Sequence, residues 1–309
     1  LADMDIDMVT AHVLYPTYVM AGAQEYTSKD RKLQIACVQA YNNWMSEFCS
    51  VNPGRLLGLA MVPVTSVDDA IAEAQRVRKL TGIQGILLTC WPNGSAVPDY
   101  NLDKRFWQVI EDLAIGCTIH VGFFGGGEAG TAQTSKKEDS TSQITLPRLN
   151  VSRQAVNTIP IFSQLILGGI LERHPNLRIG VAEVGVGWIP FFMEQTDDNY
   201  QRHRFWTQSH LKMLPSEYLK RQLFATFQID TYGVKNREFM LNNIMWSSDY
   251  PHSGADWPNS RANINNHLRG VPEDEQRKIL SDNAMRLYNI RADDLATTGP
   301  VVSTDAIAR

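Results

Sequence analysis

The sequence predicts a (β/α)8 barrel, and three observations carry that prediction. Short apolar runs alternate with amphipathic stretches along most of the 309 residues, the pattern of a parallel sheet covered by helices. Side chains able to do chemistry stand at the ends of three of these runs: His120, Glu183, and Asp249 with His252. The carboxyl ends of barrel strands are where catalytic and metal-binding groups collect. Finally, the chain opens at Leu1-Ala2-Asp3 inside a helical pattern and holds seven runs where a barrel has eight strands. The first strand is therefore expected before residue 1. An open doubly wound sheet is the alternative.

The runs, in order, are Val9–Tyr15, Leu56–Val64, Ile83–Cys90, Cys117–Phe123, Leu177–Val184, Leu223–Ile229 and Asn243–Ser248. Most are continuously apolar, as strands buried on both faces should be. The last stops at Trp246-Ser247-Ser248-Asp249-Tyr250-Pro251-His252, because proline cannot continue a central ladder. Between the runs, Leu33–Phe48 reads as a helix ending before Asn52-Pro53-Gly54. Val67–Leu80 carries Asp68 and Asp69 in its first turn and Arg76, Arg78 and Lys79 in its last, which suits the helix dipole. Arg105–Ile115, Ile161–Arg173, Trp188–Tyr200 and Glu273–Tyr288 complete the set. No linker divides the chain, so residues 1–290 are expected as one barrel domain, followed by a weakly patterned tail at 291–309. Two long polar excursions, Phe124–Asn157 and residues 201–221, are expected as lids or binding loops.

Composition narrows the function. With 43% hydrophobic and 20% charged residues and a net charge of −4, the chain has an ordinary globular balance and no basic stripe for nucleic acid. No apolar run approaches the roughly 18–20 residues that span a bilayer. The four cysteines, Cys37, Cys49, Cys90 and Cys117, form no C-x-x-C pair, so free thiols in a reducing, cytoplasmic compartment are expected. A small molecule is the expected partner.

Histidine nitrogen and carboxylate oxygen together suit a divalent ion such as zinc, manganese or iron(II). Such an ion can activate water and polarise a carbonyl. Gly125-Gly126-Gly127-Glu128-Ala129-Gly130 matches G-x-G-x-x-G, but the polar stretch after it opens no helix, so a loop is expected rather than a dinucleotide site. His174 ends a helix before a strand and reads as structural. His12 sits in a strand pattern and can face either way. His203, His210 and His267 read as surface or lid residues.

Several stretches resemble a known family. They are Leu1-Ala2-Asp3-Met4-Asp5, Thr118-Ile119-His120-Val121-Gly122, the segment from Leu171 to Ile179, Gly187-Trp188-Ile189-Pro190-Phe191 and Phe224-Ala225-Thr226-Phe227. To these add the Asp249 segment with Trp257-Pro258 after it, and Asn283-Ala284-Met285-Arg286-Leu287-Tyr288. Over residues 1–290 the chain resembles the amidohydrolase-related branch of the metal-dependent amidohydrolases. That group includes aminocarboxymuconate-semialdehyde decarboxylase and resorcylate decarboxylases. The resemblance implies a (β/α)8 barrel around a divalent metal, with His120 and Asp249 as ligands; the family's habit suggests a homodimer. Two departures stand out. The family's first-strand ligand pair is absent, and its strand-six histidine, an acid/base in the decarboxylases, falls at Glu183. A carboxylate there suits a further ligand or a general base. The expected activity is therefore metal-dependent hydrolysis of a small organic substrate. In it His120, Asp249 and Glu183 serve as ligands, Asp249 or Glu183 is the general base, and His252 is a catalytic-site residue near the substrate or a second metal. Decarboxylation of an aromatic or unsaturated acid is the alternative, and an inactive barrel is another.

Overall fold

The computed structural model describes residues 1–16, 26, 28–95, 97–120, 158–252 and 254–295. The lid candidate Phe124–Asn157, the glycine run at 125–130 and residues 296–309 of the expected tail lie outside the described residues.

Seven parallel strands form one sheet in the order of the chain. They are β1 (His12–Leu14), β2 (Leu56–Met61), β3 (Ile83–Leu88), β4 (Gly116–His120), β5 (Ile179–Ala182), β6 (Leu223–Phe227) and β7 (Ile244–Trp246). Each pairs only with its sequence neighbours, for example His120 with Ala182 and Phe227 with Trp246. Sequential order throughout is barrel topology; a doubly wound sheet reverses its strand order at a switch point. The described residues supply seven of the eight strands that a (β/α)8 barrel requires.

Side-chain alternation splits the two faces of these strands into two cores. Outward residues such as Ile86, Cys117, Ile119, Ile179, Val181 and Ile244 join the helices in one large cluster. Inward residues Leu57, Leu59, Leu87, Phe224 and Met245 form a second cluster, with Val13 and Tyr15 packed on it. Those residues come from both edges and the middle of the sheet, so the sheet must curl around them. Leu287, Tyr288 and Ile290 complete this interior cluster. The chain's last helices therefore close it: Asn283 Nδ2 donates to the carbonyls of Leu241 (2.9 Å) and Ile244 (2.8 Å).

The helices follow local chemistry. Arg31–Ser50 is capped by Asp30, which accepts from the amides of Lys32 and Leu33. Ser66 caps Val67–Val77, and Asp99 caps Tyr100–Asp112; each cap satisfies amides that the first turn leaves open. Arg31–Ser50 lies tightly on β2, where a Cβ at Gly58 would come within 2.7 Å of Met45 Cγ. Residues 201–221, expected as a loop, differ. Helix Ile189–His203 runs into this stretch and a second helix forms at Pro215–Gln222. Proline takes its first position, and the Glu217 carboxylate accepts from the Leu214 amide at 2.7 Å.

The N-terminal helix, Ala2–Ile6, packs against the loop that follows β7. Tyr250 Oη donates to Asp3 Oδ2 at 2.5 Å, Trp257 Nε1 to the Asp3 carbonyl at 3.2 Å, and the Ser260 amide to Asp7 Oδ1 at 2.8 Å. All four cysteines are unpaired. Burial pushes Cys49 up to about 11 and Cys90 up to about 12, so both stay protonated thiols near neutrality. No helix among the described residues is long and apolar enough to cross a membrane.

Candidate metal and active site

Three strand ends bring their polar groups together. His120 is the last residue of β4 and points inward, as Thr118 does two residues earlier. Glu183 follows β5 and Asp249 follows β7. His120 Nε2 lies 3.0 Å from Glu183 Oε1, and His252 Nδ1 lies 2.7 Å from Asp249 Oδ1. The Glu183 and Asp249 carboxyls also hydrogen-bond to each other. Glu183, Asp249 and His252 each offer one ligand atom within 4.8 Å of the others. His120 adjoins this group through Glu183. The structure thus gathers all four residues singled out in the sequence, and it draws His252 into the cluster although half its side chain is exposed.

The backbone at the site is unusual. Glu183 (φ 60°) and Asp249 (φ 56°) both adopt left-handed conformations. These conformations cost an ordinary residue roughly 1–2 kcal/mol, and such costs gather at functional sites. Neighbouring contacts hold them. The Glu183 amide donates to Thr226 Oγ1 at 2.9 Å, an inward side chain of β6. Three residues on, the amides of Val186 and Gly187 donate to Asp230 Oδ2 at 2.6 and 2.7 Å. The same carboxylate takes the Gly233 amide through Oδ1 at 2.7 Å.

Charge at the site is divided unevenly. Burial alone would raise the Glu183 carboxyl, but hydrogen bonding and charge from His120 outweigh it and hold it below the usual range. Burial and then the Glu183 charge push Asp249 upward, against the pull of His252. The two neighbouring carboxyls are thus pushed in opposite directions, Glu183 down and Asp249 up.

The other histidines are elsewhere. His174 is buried, with Nδ1 3.2 Å from Glu111 Oε2 and Nε2 3.4 Å from Tyr100 Oη. His203 Nδ1 accepts from Trp206 Nε1. His267, read as a surface or lid residue, instead accepts the Asp230 amide at 2.9 Å. His12 opens β1 beside the Tyr250 ring, centroids 6.1 Å apart. Sequence reasoning missed Thr226 and Asp230. Asp230 carried a signal, an acidic residue just past an apolar run; Thr226 inside its run carried none.

A parallel barrel with a histidine–carboxylate cluster at its strand ends defines a class of metal-site enzymes. The chain belongs to the amidohydrolase family, whose profile matches residues 7–290. It is 26% identical over 258 residues to 2-amino-3-carboxymuconate-6-semialdehyde decarboxylase of Dictyostelium discoideum, covering 81% of this chain and 65% of that protein. The chain thus spans just under two thirds of that relative. It is 22% identical to gamma-resorcylate decarboxylase of Polaromonas sp. strain JS666, covering 81% of this chain and 75% of that one. A crystal structure of 5-carboxyvanillate decarboxylase from Novosphingobium aromaticivorans superposes with a TM-score of 0.70 at 18% identity, over 93% of this chain and 78% of that one. That crystal held manganese and 4-hydroxy-3-methoxy-5-nitrobenzoic acid.

These relatives overturn the expectation of a hydrolase. Both of these curated relatives, each matched over 81% of the chain, are decarboxylases. Glu183 favoured hydrolysis as a free general base. In the structure its carboxylate is engaged by His120 and Asp249 and held below the usual range, which makes it a weak base.

Proposed function

We propose that this chain is a divalent-metal-dependent decarboxylase of an aromatic or unsaturated carboxylic acid. The observation that carries the reading is the pair of curated decarboxylases matched over 81% of the chain. The donor set fits a divalent cation. Two carboxylates and an imidazole offer atoms within 4.8 Å of one another, and a cation among them relieves the crowding that pushes Asp249 upward. Glu183 and Asp249 would hold the ion together with His120, whose Nε2 lies 3.0 Å from Glu183 Oε1. When bound, the ion supplies positive charge that draws the substrate's carboxylate or phenolate and steadies negative charge on the reacting carbon.

The residues divide the remaining work. Loss of CO2 leaves the carbon–carboxylate electron pair on the substrate carbon, which must take up one proton. Asp249, ionised where it holds the ion, keeps its 2.7 Å contact with His252 Nδ1 and turns that imidazole toward the carbon. The half-exposed His252 hands the proton to the carbon and takes another from solvent. His120 and Glu183 form the fixed wall of the site. We place the reaction in the reducing cytoplasm, in keeping with four unpaired thiols.

The test is CO2 release and metal content together. The purified protein is loaded with manganese and given gamma-resorcylate, 5-carboxyvanillate and 2-amino-3-carboxymuconate-6-semialdehyde. Metal-dependent CO2 release from one of them is the expected result. Tight manganese binding with no CO2 from any of them counts against the reading.

A further inference from the structure

Beneath the carboxylates, three hydroxyls meet inside an otherwise apolar barrel. Tyr288 Oη lies 2.9 Å from Thr118 Oγ1 and 2.9 Å from Tyr15 Oη. Around them pack Leu59, Leu87, Phe224 and Leu287. Two glycines on adjacent strands make room for the Tyr288 ring: a Cβ at Gly85 or Gly116 would stand 2.9 or 2.7 Å from its Cδ1. Burial pushes the Tyr288 phenol up to about 12 and Tyr15 well above its ordinary value, so both remain donors as well as acceptors. Packing alone does not call for these oxygens. Phenylalanine would fill the same space without the desolvation cost of a buried hydroxyl. A fully bonded polar chain in an apolar core does something packing does not: it fixes one orientation of each ring.

The far end of the chain faces the site. Tyr15 follows β1, and its ring centroid is 6.2 Å from that of His120, tilted by 58°. Thr118 is on the same strand as His120 and the same inward face. The hydroxyl chain therefore ties the strand that carries His120 to the ring that flanks it.

We propose that Thr118, Tyr288 and Tyr15 act as positioning residues for His120. The hydrogen-bonded chain locks the Tyr15 ring, and that ring holds the imidazole with Nε2 facing Glu183. The proposal rests on the reading of His120 as part of a metal site, and its test separates the two. Tyr288→Phe removes the central hydroxyl. Tyr15→Phe removes the outer one and leaves the Tyr288–Thr118 bond, so it carries the test if the first variant does not fold. Three readouts are taken: the imidazole signals of His120 in 15N-histidine NMR of the metal-free protein, the manganese dissociation constant, and kcat with KM on a substrate that the wild type turns over.

Wild type should give one His120 ring state, and the variants broadened or doubled signals. Manganese affinity should fall about tenfold, as for lost support of a metal-ligating histidine. The kcat should fall with KM held within about twofold, the signature of lost transition-state alignment. Unchanged His120 signals in both variants, with manganese affinity within about twofold of wild type, overturn the proposal. If the wild type binds no manganese, the metal reading falls, and the metal-free His120 signals alone decide whether the hydroxyl chain positions the ring.

Discussion

Asp103 offers a prediction whose size follows from its surroundings. It lies in the first turn of helix Tyr100–Asp112 and is 0% exposed. Its Oδ2 accepts from Asn93 Nδ2 at 3.3 Å and the Asp99 amide at 3.2 Å. Its Oδ1 has no hydrogen-bond partner among the described residues. Burial raises the carboxyl and the Asp99 charge adds to it; the two hydrogen bonds oppose them, and the result is a rise from 3.8 to about 6. The folded chain thus holds this proton more tightly than the unfolded chain does. Below pH 3.8 the group is protonated in both forms and costs nothing through ionisation. As pH climbs from 3.8 to about 6, stability is lost, and above that range the whole penalty is present. At ~1.4 kcal/mol per pH unit the penalty is ~3 kcal/mol. Asp103→Asn removes it, because an amide stays neutral while its oxygen still accepts. Urea unfolding of both proteins from pH 4 to pH 8 reads the difference. The variant should gain up to ~3 kcal/mol on wild type across that range, nearly all of it by about pH 6.5. Parallel pH profiles for the two proteins would refute the reasoning.

Three further predictions test the frame around the site. Gly116→Ala places a Cβ 2.7 Å from Tyr288 Cδ1 and 2.8 Å from the Leu287 carbonyl, so thermal unfolding should show a loss of ~1–3 kcal/mol; an unchanged melting temperature means that the last helix does not fill the barrel as described. Asp230→Ala strips the acceptor from the amides of Val186, Gly187 and Gly233, and hydrogen exchange at these three should quicken at least about tenfold, the equivalent of ~1.4 kcal/mol; protection equal to wild type counts against the brace. Asp69 is held down to about 2, chiefly by the Arg31 hydrogen bond, with Thr65 and Ser66 assisting against burial. It stabilises the fold above its ordinary 3.8 and loses that effect as pH falls toward about 2. Asp69→Asn should therefore be less stable than wild type at pH 7, and the gap should narrow in acid; a gap independent of pH contradicts this.

The strands were legible because a strand buried on both faces is a continuous apolar run. Leu223–Ile229 and Cys117–Phe123 contain the observed β6 and most of β4 (Leu223–Phe227, Gly116–His120). The same property hid the division of faces. In Cys117-Thr118-Ile119-His120 nothing in hydropathy says that Thr118 and His120 share the interior while Cys117 and Ile119 meet the helices. Asp249, Glu183 and His120 stood out as polar groups where packing needs none, which is a local signal. Their supports were not local. Tyr288 meets Thr118 across 170 positions, and Asp230 meets Val186 across 44. In residues 201–221 the polar composition masked a helix that Pro215 and Glu217 start. Reaction type was the least legible. Carboxylates and histidines at barrel strand ends serve hydrolysis and decarboxylation alike; Glu183 tilts the sequence toward hydrolysis, and the decarboxylase relatives overturn that reading.

The central claim is that Asp249 works in a metal-dependent loss of CO2. The direct measurement is CO2 release by manganese-loaded wild type and Asp249→Asn on the substrate that wild type turns over, with bound manganese counted in both. The account predicts a fall in kcat of at least about 100-fold in the variant, beyond any fall explained by lost manganese. Turnover within about tenfold of wild type at equal manganese occupancy would contradict it.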